Sequence, residues 1–217
     1  MTRIEGISGS RAGPFMRVVL WIARRKVGKL VGRSTENMIE PAEAYAHLPR
    51  LLFGCGMLED ATVRLHGVEE RLKVLAEMKA ATLTQCEWCI DIGSQIARRA
   101  GVTDAQLLAL PRYRDSDLFD ELEKLVIDYA VAMSRTPVAV SDQLFSELRS
   151  RFDDAQLVEL TSVIAVENMR GRFNLALGIG SAGFSEGMVC AVPETVPEAK
   201  TVPEAKTTPE AEAAHAT

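Results

Sequence analysis

Cys86-Glu87-Trp88-Cys89-Ile90-Asp91-Ile92-Gly93-Ser94-Gln95 decides the reading of this chain, because it sets two cysteines where one helical pattern ends and another begins. Three residues apart on a first helical turn, the two side chains face the same way. Their sulfurs can therefore meet, and can pass between dithiol and disulfide with little backbone movement. The unsatisfied N–H groups and positive pole of that turn favour thiolate, the reactive form.

Working outward, the pattern is helical throughout. Upstream, Gly67–Gln85 carries an apolar stripe of Val68, Leu72, Leu75, Met78, Ala81 and Thr82. Downstream, the helix Cys86–Ala100 closes at Gly101, the residue type expected in a left-handed C-terminal position. Thr103–Gln106 is a capping box for a short helix that stops before Pro111, and Asp153–Gln156 is a second one that opens the long apolar helix Ala155–Ile179. Between them lie an amphipathic stretch, Asp117–Arg135, and a helix capped by Ser141 that runs to about Phe152. Near the N-terminus, Phe15–Val31 is periodic, and Pro41 opens a helix through Leu58. The fold class is all-α. Residues 1–36 read as a basic arm with one helix, 37–192 as the all-α domain, and 193–217 as a disordered tail in which a Thr-Val-Pro-Glu-Ala-Lys unit repeats.

Composition narrows the function. A chain of 217 residues, 47% hydrophobic, can bury one good core. A net charge of −5 argues against nucleic acid as a partner. The basic excess among residues 1–33 (Arg3, Arg11, Arg17, Arg24, Arg25, Lys26, Lys29 and Arg33 against Glu5) suits either contact of the arm with an anionic membrane surface or, the reading we prefer, an amphipathic arm packed on protein. The apolar run Val18–Ala23 is too short for a signal-peptide core, and no segment reaches transmembrane length. The expected compartment is therefore cytoplasmic and reducing, where a close cysteine pair suggests catalysis, redox chemistry or a metal rather than a staple. A structural zinc needs four ligands, yet no second CxxC exists and His47, His66 and His215 are scattered, so no metal is expected. The bland alternative is a pair of inert core thiols, the role we also give Cys55.

Three segments together resemble a known superfamily. They are Leu72-Lys73-Val74-Leu75 followed by Cys86–Cys89, then Ala97-Arg98-Arg99-Ala100-Gly101-Val102-Thr103, and Phe152–Leu160 continuing to Glu167–Asn174. From about Leu65 to Gly183 they are similar to the carboxymuconolactone decarboxylase and alkylhydroperoxidase D superfamily. The resemblance implies an alkylhydroperoxidase D-like multi-helix bundle, assembled as a homo-oligomer, with Cys86 and Cys89 facing a small pocket. It also implies peroxidase chemistry: one cysteine is oxidised by a hydroperoxide to a sulfenic acid, the other condenses with it, and an external dithiol reductant protein restores the pair without any cofactor. The decarboxylase branch does not depend on a cysteine pair.

The resemblance also sets a problem. Its proton relay uses a glutamate twelve residues before the first cysteine and a histidine four after the second, where this chain has Val74 and Gly93. Glu70 and Glu77 flank Val74 on the same helix face and are candidate substitutes for proton transfer, as are Asp91 and Ser94 just beyond the pair. Against this, Glu77 could be a solvated charge paired with Lys73, and Glu87 is expected to be exposed. Trp88 is a candidate pocket wall or simply core. The resemblance further implies cavity-lining or subunit-contact roles for the region holding Glu167, Asn168, Arg172 and Asn174. On spacing alone, Glu167 and Arg170 are an ion pair at i and i+3. The expected function is thus a thiol-dependent oxidoreductase acting on hydroperoxides or a partner's disulfide. Its rivals are a lactone decarboxylase using the same pocket and a non-enzymatic redox sensor or interaction protein.

Overall fold

Local signals start and stop each helix. The computed structural model describes residues 2–194, which form α1 (Pro14–Val31), α2 (Glu40–Tyr45), α3 (Pro49–Val63), α4 (Glu70–Thr84), α5 (Glu87–Arg99), α6 (Asp104–Ala109), α7 (Glu121–Ser134), α8 (Asp142–Arg149) and α9 (Asp154–Leu177). No strand occurs among the described residues, and the fold is all-α. Residues 195–217, most of the predicted tail, lie outside the described residues.

Both expected capping boxes form, at Thr103/Gln106 and Asp153/Gln156. A third, at Asp120/Glu123, was not expected and moves the start of α7 from Asp117 to Glu121. The helix expected from Pro41 to Leu58 is two helices. Its continuation is broken at Pro49, which has no N–H to give and whose ring would collide with the preceding turn, so the chain bends at 46–48 and restarts. Gly101 and Gly178 take left-handed conformations at φ of 82° and 68°, ending α5 and α9.

α4 is the central element, flanked by α5, α7 and α9. One side of it packs Val74, Leu75 and Met78 with Cys86, Cys89, Ile90, Leu107 and Ile127. The other packs Leu72, Ala76 and Ala80 with Val126, Tyr129, Leu160 and Ile164. Each such fully buried aliphatic side chain contributes about 1.5–3 kcal/mol. Because α4 is enclosed all round, even its lysines are buried and need partners: Lys73 meets Glu159 at 3.0 Å, and Lys79 donates to the Leu110 carbonyl and pairs with Glu194. α1 lies on this body through Met16, Leu20 and Val31, which join Met38, Ile92 and Phe184. Its outer face, with Phe15, Val18 and Trp21, stays exposed, and Phe15 lies 6.1 Å from Phe53 of α3 between ring centres. No helix among the described residues is long and apolar enough to cross a membrane.

Candidate active site

The turn from α4 into α5 builds the cysteine site. Gln85 takes a left-handed conformation at φ 58°, uncommon for a residue with a side chain, and reverses the chain in a single step. Cys86 thereby becomes the N-cap of α5, and its sulfur accepts the Cys89 N–H at 3.3 Å. Cys86 and Cys89 are joined as a disulfide with Cα atoms 5.2 Å apart, and both are buried. Across from them, Asn174 of α9 points its side-chain Nδ2 at both sulfurs, 3.5 Å from Cys86 Sγ and 3.6 Å from Cys89 Sγ. α9 comes this close because Gly171 has no side chain: a Cβ there would stand 2.6 Å from Thr84 Oγ1 at the end of α4.

One turn earlier on α9, Arg170 gathers three carboxylates. It grips Glu59 of α3 with two parallel bonds of 2.8 and 2.6 Å, and its Nη1 reaches Glu167 at 2.7 Å and Glu77 of α4 at 3.4 Å. One cation cannot comfortably offset three anions in so enclosed a place. Desolvation pushes the Glu77 carboxyl up to about 7 against the pull of Arg170, with Glu167 and Glu59 adding repulsion. It is raised although 27% of the side chain still reaches solvent. Burial likewise raises Glu167. For Arg170, burial opposes the charge, but the surrounding glutamates outweigh it and hold the guanidinium protonated. Tyr45 stacks on Phe173 at 4.1 Å and borders Glu59 and Cys55, its hydroxyl raised mainly by burial.

The structure separates the candidates named from the sequence. Val74 is buried in the apolar core, and a Cβ on Gly93 would lie 2.5 Å from Met78 Sδ, so both relay positions are filled by packing. Glu77 is brought into the polar cluster. Lys73 does not pair with it, being engaged by Glu70 and Glu159. Glu70 is a correction: its side chain is 60% exposed and directed to Lys73, away from the cysteines. Asp91 is a second correction. Its carboxylate accepts from Ser181 Oγ and from the backbone N–H groups of Ala182, Phe184 and Ser185, so it anchors the segment after α9. Ser94 serves that segment too, donating to the Ile90 carbonyl and accepting the Ala191 N–H. Trp88 is core, edge-on to Phe184 at 5.9 Å. Glu167 belongs to the Arg170 cluster, whereas Asn168 donates to Ser134 and Arg172 points outward to Thr136, because successive positions on α9 face different neighbours. Glu59 went unnoticed in the sequence, since nothing local links α3 to a residue on α9. Among the described residues, no group of three or more His, Cys, Asp or Glu side chains is placed to hold a metal ion.

The structure is thus an all-α domain with a buried disulfide at the N-cap of α5, and sequence comparison gives it a family. A model of the carboxymuconolactone decarboxylase family matches residues 49–132. The uncharacterized protein YnjA of Escherichia coli (strain K12) is 32% identical over 181 residues, spanning 82% of this chain and 92% of YnjA. The chain belongs to the carboxymuconolactone decarboxylase family, in the superfamily that includes alkylhydroperoxidase D. Solved structures share the fold. An uncharacterized peroxidase-related protein from Ralstonia eutropha JMP134, described as an alkylhydroperoxidase AhpD core, superposes with a TM-score of 0.66 at 19% identity, over 89% of this chain and 98% of that one. The debrominase Bmp8 superposes at 0.68 and 20% identity, over 80% and 91%, and a form of it is known in complex with 2,3,4-tribromopyrrole. The matched family segment contains both cysteines, Glu59 and Glu77, and ends before α9.

Proposed function

We propose that this protein is a thiol-dependent oxidoreductase that reduces hydroperoxides, or a partner's disulfide, through Cys86 and Cys89. The observation that carries this reading is the paired, buried sulfurs at the N-cap of α5, with a carboxyl held near neutrality on the adjoining helix face. In the reduced protein, one thiolate attacks the terminal oxygen of the hydroperoxide and the O–O bond breaks. The sulfur becomes a sulfenic acid, and the alkoxide leaves as alcohol after taking a proton. The second thiol then attacks the sulfenic sulfur, water leaves, and the disulfide forms. Two electrons from an external dithiol return the pair to its starting state.

Each step needs a proton moved, and Glu77 is the group suited to moving it. A carboxyl poised near 7 gives up and regains a proton at physiological pH. Arg170 and Asn174 lie four residues apart on α9, a rise of about 6 Å along the helix, so the same helix presents its guanidinium to Glu77 and its amide to the sulfurs. Cys86 carries negative charge more readily, because it accepts the Cys89 N–H at the positive end of α5.

The deciding experiment adds one equivalent of hydroperoxide to the reduced protein and maps the thiols by mass spectrometry. Prompt loss of two hydrogens as a Cys86–Cys89 disulfide is expected. Full turnover retained by both Cys86→Ser and Cys89→Ser variants would remove the reading. Lactone decarboxylation surviving in the double variant would favour the decarboxylase alternative.

A further inference from the structure

We propose that Asn174 is a catalytic residue of the dithiol site, whose side-chain amide holds the thiolate of the reduced pair and gives the remaining thiol an acceptor. The inference rests on the redox reading of Cys86 and Cys89. Asn174 is 2% exposed, and its Nδ2 lies almost equally far from the two sulfurs. Its Oδ1 is buried without any hydrogen-bond partner. Both facts point to the same missing state. Disulfide sulfurs are weak acceptors and carry no hydrogen, so the amide is poorly used in the oxidised form. Reduction to a thiolate and a thiol supplies what it lacks: a charged acceptor for Nδ2–H and an S–H donor for Oδ1.

The surroundings leave this task to Asn174. At Gly93 a Cβ would stand 2.5 Å from Met78 Sδ, so a larger side chain there must first displace Met78, and the α4 side offers the apolar Val74. The backbone under the amide is held: the main-chain carbonyl of Asn174 accepts the Ile179 N–H at 2.9 Å in the capping turn of α9, and Gly171 lets the helix sit against Thr84. Because a hydrogen bond to a charged sulfur favours the reduced pair over the disulfide, Asn174 lowers the first thiol pKa and raises the midpoint potential.

The test needs no substrate. In the full-length reduced protein, the thiolate ultraviolet band is titrated with pH, and the midpoint potential is measured by equilibration with glutathione. Asn174→Leu, close in size but unable to hydrogen-bond, is expected to raise the lower thiol pKa by about one unit or more. It should also make the potential more negative, by about 30 mV for each tenfold loss of reduced-state preference. Asn174→Ser, which keeps a donor on a shorter stem, should fall between Leu and the parent. A titration and potential unchanged in folded Asn174→Leu would overturn the proposal; if that variant does not fold, unchanged values in Asn174→Ser overturn it instead. The two readings fail differently. A low-pKa, Asn174-dependent pair with no hydroperoxide turnover would retire the peroxidase reading and leave this one standing, whereas brisk turnover with an unmoved titration in Asn174→Leu would do the reverse.

Discussion

The two flanks of the Cys86–Cys89 pair differ in kind. Toward α4 and the body of α5 the sulfurs meet Val74, Met78 and Ile90, all apolar and buried. Toward α9 they meet the Asn174 amide, and one turn further Arg170 with Glu77, Glu59 and Glu167. Apolar surroundings disfavour a thiolate, whereas hydrogen-bond donors and a helix N-terminus favour it. A reactive dithiol therefore requires one polar flank, but physical chemistry does not dictate which helix provides it. Here the two expected relay positions, Val74 and Gly93, are packed shut, and the charged groups gather instead around Arg170 of α9, which engages Glu77 one turn along α4 from Val74.

The contrast can be broken by experiment, beginning with the largest effect. Cys86→Ser or Cys89→Ser should each abolish hydroperoxide consumption with a dithiol donor, since neither sulfur alone can close the disulfide. Glu77→Gln should leave the pair intact but slow turnover by about 100-fold, the lower range for losing a positioned acid–base group. In the parent, the rate should rise as pH passes about 7, where Glu77, facing Arg170, Glu167 and Glu59, loses its proton. The variant's profile should be flatter there. Stability gives an independent check on the same group. The Glu77 carboxyl is raised from an ordinary value of 4.5 to about 7, so the unfolded chain releases this proton first as pH rises. Its contribution is fully present below 4.5 and is lost as pH climbs through 7; urea midpoints for Glu77→Gln should lack that decline.

Arg170→Met tests whether one guanidinium holds the polar flank together. Removing it leaves three facing carboxylates and should cost about 3 kcal/mol by urea unfolding, while moving the pH–rate inflection upward. Placing a histidine on the apolar flank, as Gly93→His, should destabilise by about 1–3 kcal/mol through collision with Met78 and should not raise turnover. The smallest effect belongs to Glu70→Ala. Glu70 is exposed, and the buried Lys73 keeps Glu159 and the Leu65 carbonyl without it, which predicts a stability change within about 0.5 kcal/mol and unaltered turnover.

Much of this was legible in advance because its causes are local. Helix periodicity, the Thr103 and Asp153 caps, Gly101 at the end of α5 and the i, i+3 cysteine pair are each set within a few residues. The misreadings share a different cause. Pro49 splits a helix that looked continuous by lacking an N–H, and Asp120 caps one that periodicity began four residues too early through reciprocal bonds with Glu123; apolar spacing registers neither. Asp91 and Ser94 stood close to the cysteines in sequence, but their partners lie some ninety residues on, in the segment after α9. Spacing also placed Glu70 and Glu77 alike on one helix face; only their neighbours tell them apart, Lys73 for one and Arg170 for the other.

By itself, then, the amino-acid sequence determined the all-α class, most helix ends and a dithiol ready to capture the first turn of α5. These depend on backbone hydrogen bonding and side-chain spacing along a single helix, which act over one or two turns. The tertiary structure decided which groups serve the dithiol. α9 brings Asn174 to the sulfurs across 85 residues or more, and Arg170 draws Glu59 from 111 residues away. Those placements depend on Gly171 letting two helices touch and on Met78 filling a space that a larger residue at position 93 would need. Close packing between helices is a property of both surfaces at once, so neither segment records it alone.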